Sequence, residues 1–102
     1  MNIKKIDHIA IAVRDLEAGI AFHRDVLGLP LTGREVVDSA GVEVAFFACG
    51  DTEVELVAAI RPDAHVNRFI QEHGEGLYHL AYRVSDIDAS FDHLRANGCA
   101  AS

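Results

Sequence analysis

Positively charged residues are scarce in this sequence. Lys and Arg together number 9, against 16 Asp and Glu, which gives the 102-residue chain a formal net charge of −7. Nucleic acids and anionic membrane surfaces bind proteins through clustered positive charge. Because the basic residues form no such cluster, we expect neither as a partner, and an anionic substrate must be held by local contacts.

Long apolar runs are also missing. No segment has the 18 or so consecutive apolar residues that a membrane-spanning helix needs. Residues 1–5 lead straight into a strand pattern, without the apolar core of a signal peptide. With 50% hydrophobic and 25% charged residues, the composition is that of an ordinary globular protein. We therefore expect a cytoplasmic protein with no membrane partner.

Cysteine is too sparse to organise the fold. Cys49 and Cys99 are the two cysteines, and no C-x-x-C spacing occurs. Neither a zinc motif nor a disulfide framework is indicated, so both are expected to be inert, small hydrophobic residues in a reducing compartment. A chain of 102 residues has room for one core, which predicts a single domain over residues 1–102.

Alternating and helical patterns follow one another along the chain. Ile6 to Val13 alternates as a β-strand does, with His8 and two small alanines on one face and bulky residues on the other. A helix is predicted next, beginning after Asp15 as its N-cap and ending at Gly28. Three further strands are predicted, separated by turn residues. They cover Leu31 to Val37, Val42 to Cys49 and Thr52 to Ala59.

The start of this pattern is repeated. His8 to Ala18 aligns without a gap on His79 to Ala89, sharing the His, the first Ala, the Val, the Asp cap and the last Ala. The first βαβββ unit occupies residues 1–60, a connection with a short amphipathic helix covers 61–76, and the second unit starts at 77. A full second copy would run to about residue 130. We therefore expect an α+β fold of paired βαβββ units, the second incomplete.

His8 and His79 lie at matched places on the two repeated strands. Neutral imidazole is the commonest metal ligand in proteins, and strands fix its direction, so the pair predicts two ligands of one divalent metal ion. In the alternative interpretation, each His is a half-buried surface residue kept by duplication alone. For a lone His that interpretation would be favoured, whereas the matched pair favours the metal site.

The last strand of the first unit offers a carboxylate ligand. Glu53 and Glu55 share a face, and Glu55 is the better candidate because it lies deeper in an apolar run. Its alternative role is an exposed residue of an antiparallel sheet. Two imidazoles with carboxylate oxygen suit Co²⁺, Mn²⁺, Ni²⁺, Zn²⁺ or Fe²⁺.

Other ionisable residues have weaker patterns. Glu43 lies on the middle strand and could point into the cleft as a proton-transfer base, although strand alternation fits a solvent-facing position equally well. The remaining four histidines fall on helix or connection surfaces and are expected to be solvated. They are His23, His65, His73 and His93.

Several of these motifs resemble the vicinal oxygen chelate superfamily, and most closely its methylmalonyl-CoA epimerases. The resemblance covers nearly the whole chain, and its last two motifs are the ones that look epimerase-like. The motifs are Ile6 to Val13, Asp25 to Leu29, Gly41 to Phe46, Gly50 to Leu56 and Gly74 to Ala81.

The resemblance implies a ligand set for the metal. Three of the family's four ligands fall on His8, Glu55 and His79, and the fourth, a Glu on the final strand, falls beyond the 102 residues. Some members carry a proton-transfer Glu on the third strand, where an ungapped match puts Val44, with Glu43 adjacent. Tyr78 stands where the family often has another His and is expected to alter only packing.

The activity implied is epimerisation of methylmalonyl-CoA. A divalent metal (Co²⁺, Mn²⁺, Ni²⁺ or Zn²⁺) would stabilise the enolate that forms when the carbon between thioester and carboxylate loses its proton. The partner would be an acyl-CoA, with its phosphates near Lys4, Lys5, Arg61 and Arg68. Open strand edges further predict either self-association, in its simplest form a homodimer, or poor stability.

Other functions of the same fold stay open. A lactoylglutathione lyase would use the same ligands, whereas a ring-cleaving dioxygenase would leave Glu55 unexplained. Outside these enzymes, the chain could be a binding module or an inactive fragment.

Overall fold

The computed structural model describes residues 1–100, whose five strands form a mixed sheet in the order β2-β3-β4-β1-β5. β1 runs parallel to β4 and antiparallel to β5, whereas β2, β3 and β4 form an antiparallel meander. The three strands predicted between the first helix and the connection have the bounds expected of them. The strands are β1 (Ile3–Ala12), β2 (Leu31–Val37), β3 (Val42–Cys49), β4 (Thr52–Ala59) and β5 (Gly76–Val84).

In the described part of the chain, three α-helices accompany the sheet: α1 (Leu16–Ala21), α2 (His65–His73) and α3 (Ile87–Ala96). α1 continues in π-helical geometry over Phe22–Val26. Within residues 1–100, no helix combines the length and the apolarity needed to cross a bilayer.

The repeat extends to the way in which the helices begin. Asp15 Oδ1 accepts a hydrogen bond from the backbone N–H of Ala18 at 3.1 Å, and Asp86 Oδ1 accepts one from Ala89 at 3.0 Å. Each Asp therefore caps the free N–H groups at the start of its helix, as predicted for Asp15.

The two faces of the sheet carry separate apolar clusters. α1 covers one face, which we call the α1 face, and α2 covers part of the other, the α2 face. The α1-face cluster comprises Val13, Leu16, Ile20, Ala45, Phe47, Leu56 and Ala58. The α2-face cluster comprises Ala10, Ala12, Val42, Val44, Val57, Ala64, Val66 and Ile70. Since side chains alternate along a strand, His8 shares the α2 face with Ala10, and Glu55 shares it with Val57.

A β-bulge interrupts the pairing of β1 with β5 beside His8. Ile6 is opposite Tyr82 and His8 is opposite Ala81, so Asp7 is an extra residue on β1. A bulge bends its strand and re-aims the side chains next to it.

A second bulge lies beside His79. Ala10 is opposite His79 and Ile11 is opposite Leu77, which makes Tyr78 the extra residue on β5. Asp7 and Tyr78 are also equivalent in the sequence repeat, so each of the two matched histidines directly follows a bulged residue.

The two cysteines form no disulfide. Cys49 and Cys99 are both free, in agreement with the absence of a predicted disulfide framework, and both are exposed. Cys49 ends β3 beside the turn at Gly50 and Asp51.

Candidate metal centre

The three residues predicted to bind metal lie together on the α2 face. Ala10 on β1 is opposite Glu55 on β4 and also opposite His79 on β5, and His8 lies two residues along β1. The fully buried Ala10 has a side chain too small to separate the groups on either side of it. The pairing of three adjacent strands thus collects side chains from both repeated units.

The two imidazoles have the separation that one metal ion requires. His8 Nε2 and His79 Nε2 are 3.4 Å apart, and the ring planes are inclined at 78°. Two nitrogens held at about 2.0–2.1 Å from a tetrahedral ion are themselves about 3.3–3.4 Å apart. The donor atoms of the pair therefore fit a divalent cation between them.

Glu55 lies beside the imidazole of His8, but next to Nδ1 rather than next to Nε2. Its Oε2 is 3.7 Å from His8 Nδ1, beyond hydrogen-bonding distance, and 16% of its side chain is exposed. Within residues 1–100, no three His, Cys, Asp or Glu side chains are grouped closely enough to hold a metal ion as they stand. Glu55 has to change side-chain torsion angles to join the two histidines, and its role as a ligand stays a prediction.

Burial shapes the protonation of the site. Desolvation raises the pKa of the Glu55 carboxyl, an effect that the positive charge of His8 opposes and that neighbouring Glu53 reinforces. Desolvation lowers the pKa of His79, and repulsion by His8 lowers it further. His79 is therefore favoured in the neutral form, which is the form that binds metals.

Asp7 is a member of this cluster that the sequence analysis missed. Its Oδ2 lies 3.0 Å from His8 Nδ1, and Arg83 Nε donates to its Oδ1 at 2.9 Å. The hydrogen bonds from His8 and Arg83 lower the pKa of the Asp7 carboxyl. Regular alternation would point Asp7 away from His8, and the bulge that brings them together leaves no signal in an alternating pattern.

Tyr78 connects the site to α2. Its hydroxyl is 2.6 Å from His65 Nδ1, and its ring packs against Phe69 with centroids 4.9 Å apart. Burial raises the pKa of Tyr78, so the hydroxyl that bonds His65 stays protonated at neutral pH. The expectation that Tyr78 alters only packing is therefore wrong, whereas His65 is exposed, as expected, and has this bond in addition.

The structure also differs from the expectation that His23 is a solvated surface residue. His23 is half-buried, with Nδ1 2.9 Å from the Gly19 carbonyl oxygen and its ring 5.5 Å from that of Phe47. His73 and His93 are exposed, as expected.

Glu43 does not reach the predicted site. It lies on the α1 face, where Arg34 Nε donates to its Oε2 at 3.0 Å and the same guanidinium also bonds Glu17. Val44, the next residue, is buried on the α2 face. The expectation that Glu43 acts as a base in this cleft is corrected accordingly, since the α2 face of β3 presents an apolar side chain there.

The basic residues expected near a phosphate are dispersed. Lys5 donates to the backbone oxygen of Asp51, whereas Arg61 Nη1 donates to the backbone oxygen of Asp38 at 2.7 Å. They therefore form no single basic patch.

The chain belongs to the Glyoxalase/Bleomycin resistance protein/Dioxygenase superfamily, whose model matches residues 7–102. This confirms the predicted superfamily and its α+β fold.

Among curated relatives, the mitochondrial methylmalonyl-CoA epimerase of Homo sapiens is 32% identical over 95 residues, which cover 92% of this chain and 54% of that protein. The uncharacterised protein YqjC of Bacillus subtilis is 36% identical over 80 residues, covering 78% of this chain and 57% of that one. The chain thus spans little more than half the length of these relatives.

Solved structures extend the similarity to three dimensions. The methylmalonyl-CoA epimerase of Mycobacterium tuberculosis matches with a TM-score of 0.86 and 34% identity, over 94% of this chain and 65% of that one. A methylmalonyl-CoA epimerase in complex with methylmalonyl-CoA and an ammonium ion matches with a TM-score of 0.85 and 30% identity, over 97% and 73% of the two chains. Similarity to these isomerases supports an epimerase-like enzyme.

Proposed function

We propose that this chain carries the metal-binding part of an epimerase that acts on an acyl-CoA of the methylmalonyl-CoA class. The observation that carries the proposal is the 3.4 Å separation of His8 Nε2 and His79 Nε2, with Glu55 on the same face of the sheet. The similarity to epimerases, one of them solved with methylmalonyl-CoA, supports the choice of substrate.

In this proposal, His8, His79 and Glu55 hold a divalent cation such as Co²⁺, Mn²⁺, Ni²⁺ or Zn²⁺. The cation supplies the positive charge that stabilises the substrate when the carbon between its thioester and carboxylate loses a proton. Ala10 leaves space between the ligands, and Val44 provides an apolar wall on the same face. Since neither Glu43 nor Val44 offers a base there, the proton-transfer group belongs to an element other than β3.

Calorimetric titration with Zn²⁺ tests the metal site. We expect the wild-type chain to bind one equivalent and His79→Ala to bind at least about tenfold more weakly, because removing a ligand costs no less than removing its supporting residue. His93→Ala, which removes an exposed imidazole from α3, is the matched control and should retain wild-type affinity. Equal affinities in the wild type and His79→Ala would contradict the site.

Proton exchange tests the reaction separately. The metal-loaded chain in D₂O should introduce deuterium at the carbon of methylmalonyl-CoA between thioester and carboxylate, and His79→Ala should not. Mass spectrometry of the recovered thioester measures the exchange. A chain that binds metal but leaves the substrate unlabelled would reject the epimerase activity while leaving the metal site intact.

A further inference from the structure

We propose that Asp7 is a positioning residue that sets which nitrogen of His8 faces the metal. The inference rests on the proposed metal-binding function. It concerns residues that lie outside the predicted ligand set, namely Asp7 and its partner Arg83.

The carboxylate of Asp7 divides its oxygens between two partners. Oδ2 lies 3.0 Å from His8 Nδ1, whereas Oδ1 accepts hydrogen bonds from both Nε and Nη2 of Arg83. Two N–H groups on one oxygen fix the plane of the carboxylate and leave the other oxygen for the imidazole. Arg83 comes from β5, so the arrangement depends on the pairing of the two repeated units.

The bond to Asp7 determines the tautomer of His8. An ionised carboxylate only accepts hydrogen bonds, so a neutral His8 must carry its proton on Nδ1. Nε2 then carries a lone pair and no proton, and Nε2 is the atom that lies 3.4 Å from His79 Nε2. This is the arrangement in which a carboxylate supports a metal-binding histidine through its second nitrogen.

Asp7 is a better partner for Nδ1 than Glu55 is. The Glu55 oxygen is 3.7 Å from Nδ1, against 3.0 Å for Asp7, and only the shorter distance is that of a hydrogen bond. Nδ1 is therefore bonded to Asp7, and Glu55, the third predicted ligand, makes no hydrogen bond to His8.

The matching position in the second unit works differently. Tyr78 occupies the equivalent bulge, but its hydroxyl bonds His65 on α2 rather than His79. The proposed control of the tautomer therefore applies to His8 and not to His79.

The ring protons of the metal-free chain give the first test. Long-range ¹H–¹⁵N spectra, recorded above the pH at which histidine ordinarily titrates, distinguish the two neutral tautomers. The spectrum of His8→Gln assigns the His8 signals by their loss. We expect the proton of His8 on Nδ1 in the wild type, and a proton on Nε2 would overturn the inference.

Variants give the second test. Asp7→Ala should move the His8 proton population towards Nε2 and weaken Zn²⁺ binding by about 10- to 100-fold, the usual effect of removing a ligand's supporting carboxylate. Arg83→Gln keeps the carboxylate, so it should retain the Nδ1 proton with a smaller loss of affinity. Asp92→Ala, which removes an exposed carboxylate from α3, is the charge-matched control and should change neither quantity.

The outcomes separate this inference from the function on which it rests. A wild-type chain that does not bind Zn²⁺ overturns both. Zn²⁺ binding that is lost in His79→Ala but is within about twofold of wild type in Asp7→Ala overturns only the role of Asp7. Circular dichroism checks that each variant is folded, and if Asp7→Ala is not, the wild-type tautomer and Arg83→Gln decide.

Discussion

Glu43 and Glu55 lie on neighbouring strands, but their carboxylates are on opposite faces of the sheet and have different partners. Glu43 pairs with Arg34 on the α1 face, whereas Glu55 lies beside His8 on the α2 face. The same chemical change at the two positions should therefore have different effects on the site.

We expect Glu55→Ala to weaken Zn²⁺ binding at least about tenfold and Glu43→Ala to leave it within about twofold of wild type. Glu43→Ala should only lower the urea midpoint slightly, because exposed ion pairs add little stability. Calorimetry and urea unfolding measure the two effects. Equal losses of Zn²⁺ affinity in the two variants would contradict the prediction that only Glu55 contributes to the metal site.

At the scale of the elements, regular patterns were predictable and irregular ones were not. The bounds of β2, β3 and β4 follow from alternation and turn residues, and the cap at Asp15 follows from its side-chain oxygen. His8, Glu55 and His79 could be placed on one face because the sequence repeats and strands alternate.

The bulges mark the limit of that prediction. A bulge is one unpaired residue whose position depends on the register of two strands that are distant in sequence, so alternation within one strand does not reveal it. The contacts of Asp7 with His8 and of Tyr78 with His65 were missed for this reason. Alternation within β3 fits either orientation of Glu43, and only the packed sheet shows that its side chain lies on the α1 face while that of Val44 lies on the α2 face.

Tyr78, the bulged residue of β5, forms a hydrogen bond with His65 at the start of α2. We expect Tyr78→Phe to lower the free energy of unfolding by about 0.5–1 kcal/mol, since a partly exposed hydrogen bond contributes at the lower end of the usual range. Tyr82→Phe, a change at an exposed position of the same strand, is the control and should be nearly neutral. Urea unfolding measures both, and equal stabilities would contradict a structural role for the bond.

On the scale of the whole molecule, the two repeated helices, α1 and α3, differ in how far their apolar side chains are buried. Leu16 and Ile20 of α1 are 8% and 3% exposed, whereas the corresponding Ile87 and Phe91 of α3 are 61% and 47% exposed. Contiguous apolar surface of this kind is typical of an interaction site.

We expect the chain to self-associate through the surface of α3 as its concentration rises, in the simplest case as a homodimer. Phe91→Lys should shift the molecule towards the monomer, because a charge at this position is costly to bury. Phe22→Lys, at another exposed Phe, is the control. Sedimentation velocity over a range of concentrations measures the association. A wild-type chain that stays monomeric throughout, or equal effects of the two variants, would contradict the prediction.

The pairing of β1 with β5 has a consequence for folding. It brings Ile3 opposite Val84 and His8 next to His79, contacts between residues at least 71 positions apart in the sequence. Contacts so distant in sequence form slowly, because a long loop must close before they contribute any stability. A cation that binds both histidines would bind only the closed sheet, and mass action would then favour closure over the open chain. By binding one histidine on β1 and one on β5, the metal would cross-link the two strands. Its binding free energy would then add to the stability of the folded chain.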